Sequence, residues 1–141
     1  MLDSSEYSRW MESARRTLHS ALGDLERGDY NWACFKAHQA AEKALKALLW
    51  GVGSPATGHS LPKLLERVGE VLQLELPPDV REACMRLNKF YIATRYPNAW
   101  SEGIPEEQYS RSEAEEAILY ARRVLEWVEG VWRGLSSIGG G

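Results

Sequence analysis

Residues 33–49 read ACFKAHQAAEKALKALL. Alanine stands at 37, 40, 41, 44 and 47, a strong helix former whose small side chain lets another backbone come close. At 100° per residue, Cys34, Ala41, Ala44, Leu45, Leu48 and Leu49 share one side of this helix. Trp32, Lys36, Gln39, Lys43, Lys46 and Trp50 fall within about a quarter of the circumference on another side. The stretch therefore predicts a helix over about 30–50 with one face for a core and a cationic stripe flanked by two indoles. Gly51, Gly53 and Pro55 break it.

Working outward, Tyr7, Trp10, Met11, Ala14, Leu18, Ala21, Leu22 and Leu25 recur at three- and four-residue steps. They predict a first helix over about 5–27, capped by Ser4 or Ser5 and stopped by Gly28. Asp29 is placed to cap the next helix, and so short a turn returns the second helix antiparallel to the first. Ser60 caps a third helix from Leu61 to about Leu74, with Pro62 in its first turn. Pro77 and Pro78 start a fourth, whose stripe of Val80, Cys84, Leu87, Tyr91 and Thr94 predicts an end near Arg95. After a long loop over 97–110, Ser112 and Glu115 form a capping-box pattern, and a last helix runs on Ile118, Ala121, Leu125, Val128 and Trp132 to about Leu135. No alternating strand pattern or internal repeat is present. The reading is all-α: an up-and-down antiparallel bundle of four to five helices, a single domain over 1–141 with an ordered bundle over 5–135 and a flexible tail over 136–141.

Composition narrows the function classes. With 141 residues the chain suits one core, and its net charge of -3 gives no global field for nucleic acid. An anion site must come from a local cluster of cations. Cys34 and Cys84 both sit in apolar helical patterns and read as small core residues. Two cysteines without a signal peptide suit a reducing cytoplasm, and no apolar run reaches the roughly 20 residues that cross a bilayer. Phosphate loops, dinucleotide fingerprints, zinc motifs and a nucleophile elbow are all missing from the sequence.

Three features remain that can carry chemistry. The lysine stripe either neutralises phosphates beside stacking indoles or is a solvated face whose stems cover apolar surface. His38 and Glu42, four apart, form either a polar cleft pair in which the carboxylate raises the imidazole's basicity or a satisfied contact between helices. With three His in the chain and no partner at ligand spacing, no metal is expected. The segment Phe90-Tyr91-Ile92-Ala93-Thr94-Arg95-Tyr96-Pro97-Asn98-Ala99-Trp100 sets Arg95 either to fork onto a phosphate between the faces of Tyr91 and Tyr96 or to complement the negative end of a helix.

Taken in order, Ala33 to Leu49, then Gly58-His59-Ser60-Leu61 with Leu64-Leu65, then Phe90 to Pro97, resemble the HEPN domain of prokaryotes and higher eukaryotes over roughly residues 5–135. That resemblance implies a helical bundle, usually a homodimer. Members are often encoded beside, or fused to, a minimal nucleotidyltransferase in toxin–antitoxin-like pairs, and many are metal-independent RNases with an Arg followed four to six residues later by a His. Here those positions after Arg95 are Ala99, Trp100 and Ser101, while His19 stands three or four residues after Arg16 and Arg15 in a different helix. The resemblance thus implies the non-catalytic branch, a nucleotide-binding or partner subunit without a cofactor; whether the chain is an enzyme stays open, with the missing His counting against it. It carries over Lys43, Lys46 and Glu42 from the EKALKALL block, His59 from the loop, and Arg95 with Tyr96. Lys43, Lys46, His59 and Arg95 would contact a nucleotide or RNA anion, and Tyr91 and Tyr96 a base or ribose. Two rival readings stand beside it: an RNase using His38, His59 and Arg95, and a structural dimerisation module, suggested by six Trp.

Overall fold

The alanine-rich helix becomes the axis of the molecule. In the computed structural model, which describes residues 1–139, it is α2 (Tyr30–Gly51). Around it stand α1 (Ser4–Arg27), α3 (Leu61–Leu72), α4 (Pro78–Leu87) and α5 (Arg111–Gly139), and α2 touches all four. Single 3-10 turns occupy Asn88–Phe90, Pro97–Ala99 and Pro105–Glu107. No strand occurs among the described residues. The fold is an all-α antiparallel bundle of five helices.

Small side chains set the packing. Ala33, Ala37, Ala40, Ala41, Ala44 and Ala47 of α2 are all fully buried, and Ala14, Ala21, Ala114, Ala117 and Ala121 face them from α1 and α5. Helix axes can approach closely across such seams, while Met11, Leu45, Leu48, Leu49, Leu61, Val68, Val80, Leu87, Val124 and Val128 fill the spaces between. Cys34 and Cys84 are free and buried in this core, and burial pushes both thiols up to about 12. Neither is a thiolate at neutral pH.

Helix ends follow local chemistry, with instructive differences from the expected boundaries. Asp3, rather than Ser4 or Ser5, caps α1 by accepting from the Glu6 N–H at 3.1 Å. Gly28 takes the left-handed conformation at φ 83°, and Asp29 starts α2 at once. Ser60 caps α3 as expected, while α3 stops at Leu72. For α5 the reciprocal cap lies earlier in the chain than expected: Ser110 Oγ accepts from Glu113 N–H at 3.2 Å and Glu113 Oε1 accepts from Ser110 N–H at 3.1 Å. The helix then continues to Gly139; the rest of the expected tail, 140–141, lies outside the described residues.

The largest difference is the end of α4. It stops at Leu87 instead of near Arg95, because side chains claim the carbonyls that a continuing helix would use. Phe90 O accepts from Thr94 Oγ1 at 2.8 Å, Tyr91 O from Arg95 Nε at 2.9 Å, Ala93 O from Trp100 Nε1 at 2.7 Å and Thr94 O from Asn31 Nδ2 at 3.0 Å. Residues 91–100 form a strap without α-helix, in which side chains of Arg95, Trp100 and Asn31 satisfy the carbonyls of Tyr91, Ala93 and Thr94.

One close approach fixes the far end of α2. Tyr7 and Trp132 stack at 4.1 Å with an interplanar angle of 3°, and Gly51 sits under them. A Cβ at Gly51 would stand 2.5 Å from Trp132 Cζ3 and 3.1 Å from Tyr7 Cβ. Gly51→Ala is therefore expected to lower stability by about 1–3 kcal/mol through overpacking. Urea unfolding should show that loss in the wild-type background and much less of it in a Trp132→Ala background; equal losses in both would remove the indole as the cause.

Candidate functional site

At the centre of the chemically active groups is a buried carboxylate. Glu42, on the inward side of α2, is 5% exposed. Its Oε2 accepts from Lys46 Nζ at 3.0 Å, one turn along the same helix, and its Oε1 lies 2.8 Å from His59 Nδ1. A carboxylate this deep needs both partners to offset its desolvation. His59 comes from the loop between α2 and α3, where Gly58 (φ 100°) turns the chain. Its own carbonyl is held by His38 Nε2 at 3.0 Å. Helix α2 thus grips one loop residue twice, once by its main chain and once by its ring.

His38 is fully buried. Burial pulls its pKa below 6.5, opposed by the Gln39 side chain, the Glu42 charge and the His59 carbonyl. With Nε2 facing a carbonyl, the neutral ring carries its proton there. Nδ1, 3.1 Å from Gln39 Oε1, then accepts from the Gln39 NH2 once that amide is turned over. The expected His38–Glu42 contact is only 4.0 Å long; both groups spend their stronger contacts on His59.

Aromatic rings and a guanidinium cover this network. Tyr91 stacks on His59 at 4.3 Å and 18° and lies 5.3 Å from the His38 ring. Arg95 folds back so that Nε and Nη2 both donate to Tyr91 O. Its guanidinium stands 4.2 Å from the Phe35 ring, 4.8 Å from Tyr91 and 5.1 Å from Tyr96. Arg95 closes the carbonyl of Tyr91, just past the 3-10 turn that follows α4, and this uses two of its five N–H groups. An open depression of about 420 Å³ is lined by His59, Asn88, Lys89, Tyr91 and Ile92 among others; of the rings around Arg95, Tyr91 alone reaches it.

Of the eight residues singled out from the sequence, His38, Glu42, Lys46, His59, Tyr91, Arg95 and Tyr96 come together in one contact chain. Lys46 is its buried end, 7% exposed with its ammonium on Glu42, and so does not stand on an open anion-binding face. Lys43 lies elsewhere, in a groove between α1 and α2, where Nζ donates to Thr17 Oγ1 at 2.9 Å. Sequence reasoning passed over Asn88, whose Oδ1 accepts from Leu61 N–H at 3.0 Å, and Asn31, which holds the strap together with Trp100, the last residue of the aromatic segment. It also passed over the polar face of α1; Ser13, Thr17 and Ser20, at steps of four and three, were the available signal. Among the described residues no group of three His, Cys, Asp or Glu is placed to hold a metal ion, and no helix is long and apolar enough to cross a membrane.

The network predicts a pH dependence. His38 binds its proton less readily folded than unfolded, so its contribution is complete above pH 6.5 and is lost as the pH falls below that value toward the lowered folded one. Urea unfolding between pH 8 and pH 5 should show stability falling by up to about 1.4 kcal/mol per pH unit from this group, and His38→Gln should flatten that fall; an unchanged slope would show that the ring is not held neutral. Glu42→Gln, which strands the Lys46 ammonium, should cost about 3–5 kcal/mol at pH 7.

Comparison with known proteins agrees with this fold. The HEPN domain family model matches residues 7–131. The crystal structure of TT1696 from Thermus thermophilus is 46% identical with a TM-score of 0.84, covering 88% of this chain and 96% of that one. ST0689, an archaeal HEPN homologue, is 37% identical with a TM-score of 0.74 over 88% and 95% of the two chains. An HEPN domain protein from Thermotoga maritima is 35% identical with a TM-score of 0.72 over 89% and 98%. No curated protein matches. With a family match over most of its length and three such structural relatives, the chain belongs to the HEPN domain family.

Proposed function

We propose that this chain is a non-catalytic, nucleotide-binding HEPN module of the cytoplasm, a homodimer that serves as partner subunit of a minimal nucleotidyltransferase in a toxin–antitoxin-like pair. The observation that carries the nucleotide reading is the Arg95 guanidinium, set among the Phe35, Tyr91 and Tyr96 rings, with Tyr91 also lining an open depression. A planar cation with free N–H groups suits a phosphate, and neighbouring aromatic faces suit a base. His59 and Lys89 on the same wall add donors for a second phosphate oxygen. For the subunit contact, Trp32, Ile92 and Tyr96 are exposed around Arg95, the Trp and Tyr with Arg composition of strongly contributing interface positions. The partner and the pairing rest on the family resemblance.

A second reading, an RNase with a non-standard residue set, draws on one contact. Glu42 holds His59 Nδ1, while the half-exposed ring leaves Nε2 free to exchange a proton with a ligand. A carboxylate-oriented imidazole is the arrangement a general base uses. The absence of a His four to six residues after Arg95 favours the first reading.

Isothermal titration with a panel of nucleoside mono-, di- and triphosphates should detect binding. Arg95→Gln should weaken it by about 1.5–3 kcal/mol through loss of a charge-assisted hydrogen bond, and Tyr91→Ala by about 1–3 kcal/mol through loss of a stacking face. No heat with any nucleotide, or binding indifferent to Arg95, would overturn the nucleotide reading. In parallel, incubation with structured RNA should give no cleavage; cleavage abolished by His59→Ala would establish the RNase reading in its place.

A further inference from the structure

An open groove of about 590 Å³ runs along the outer seam of α1 and α2 and shares no lining residue with the depression at His59 and Tyr91. Its two walls are polar at helical spacing. From α1 come the hydroxyls of Ser13, Thr17 and Ser20, and from α2 come Lys36, Gln39 and Lys43. Arg9 and Arg16 stand on the rim, and Glu12 is the one carboxylate among the lining residues, held by Arg16 at 2.9 Å. Lys36 is partly committed, 2.9 Å from both Ser20 Oγ and Asp24 Oδ2, and Arg9 pairs with Glu6 at 3.0 Å. Lys43 makes no ion pair among the described residues; its only polar partner is the Thr17 hydroxyl. In a chain of net charge -3 this seam is a local excess of cations.

Aromatic faces lie at both ends. Phe35 closes one end, where it also packs under Arg95. At the other, a second hollow of about 200 Å³ shares Arg9, Ser13 and Lys43 with the groove and adds Trp10, whose indole stacks with Trp50 at 5.8 Å. From Phe35 to Trp50 α2 rises about 22 Å at 1.5 Å per residue, too long for one mononucleotide. A row of donors between stacking faces is the arrangement that tracks a single-stranded backbone.

We propose that the α1–α2 groove binds a short single-stranded oligonucleotide, its phosphates on Lys43, Arg9, Arg16 and the three hydroxyls and a base on the Trp10–Trp50 pair. This groove shares no lining residue with the depression at His59 and Tyr91, and the proposal does not rest on the nucleotide reading given above. The indoles decide the ligand class: a bare phosphate chain would use the cations and leave them untouched.

The test is fluorescence anisotropy of a labelled oligouridine octamer with the whole protein at 50 and 200 mM salt, with tryptophan emission recorded alongside. Binding should quench tryptophan emission and weaken steeply with salt. Arg9→Gln with Lys43→Gln should weaken binding at least tenfold and reduce the slope of log affinity against log salt by about 0.7 for each cation removed. Arg9→Gln alone should give a part of the same loss, and both variants should keep the wild-type circular dichroism melt. Arg95→Gln should leave octamer binding within about twofold, which separates this site from the nucleotide site. Absence of octamer binding at 50 mM salt, loss with Arg95→Gln but not with the Arg9 and Lys43 changes, or displacement by inorganic tripolyphosphate at equal concentration without any tryptophan quench would each overturn the proposal.

Discussion

A single carboxylate inside the bundle governs the arrangement of His59, Tyr91 and Arg95. Glu42 is too deeply placed to remain charged without partners, and it has two, one from its own helix and one from a loop. The Lys46 contact neutralises it locally; the His59 contact fixes the loop between α2 and α3 against α2. Once His59 is fixed, its ring gives Tyr91 a surface to stack on, and Tyr91 in turn gives Arg95 a carbonyl and a face. His59, half-exposed, carries the series from the buried carboxylate to the partly buried Tyr91 and Arg95. The series converts the demand of one buried charge into the position of a partly exposed guanidinium.

That dependence explains why the sequence shows the fold so much more clearly than the site. The alanines and leucines of α2 announce themselves by a three- and four-residue period, and a period is visible in one dimension. Gly28, Ser60 and Pro78 mark helix ends through backbone chemistry that is local by nature. The Glu42–His59 contact spans 17 residues and the Asn31–Thr94 contact 63; no local pattern signals either. His38 stands at the right spacing for Glu42 and is the natural partner to expect, but the loop brings His59 closer. Likewise Tyr91 and Thr94 continue the apolar stripe of α4, although their segment is not helical, because side-chain donors to the carbonyls of residues 90, 91, 93 and 94 are invisible until the chain has folded.

The same contrast separates the lysines of α2. Lys43 and Lys46 are three residues apart, and a helical wheel sets both on one stripe with Lys36. A wheel reports direction from the axis and is silent about what lies there. In the direction of Lys46 the bundle supplies Glu42 and the face of Trp10, 6.0 Å from the ammonium, and the charge is absorbed into the structure. Toward Lys43 it supplies a hydroxyl and an open groove. Two residues of one type in one motif thus take different roles, structural for Lys46 and outward-facing for Lys43.

Arg95 sits between these extremes, and its geometry bears on which chemistry the site can support. A catalytic cation in a metal-independent reaction must reach the atoms where charge develops, with donors aimed at them before the reaction begins. Two of the Arg95 donors are instead turned inward onto Tyr91 O, and the guanidinium plane is flanked by three rings. This anchoring lowers the entropy cost of presenting the remaining N–H groups and favours holding an anion over following one through a change of shape. Anchoring of that kind is the structural ground of the anion-binding role proposed for this HEPN bundle.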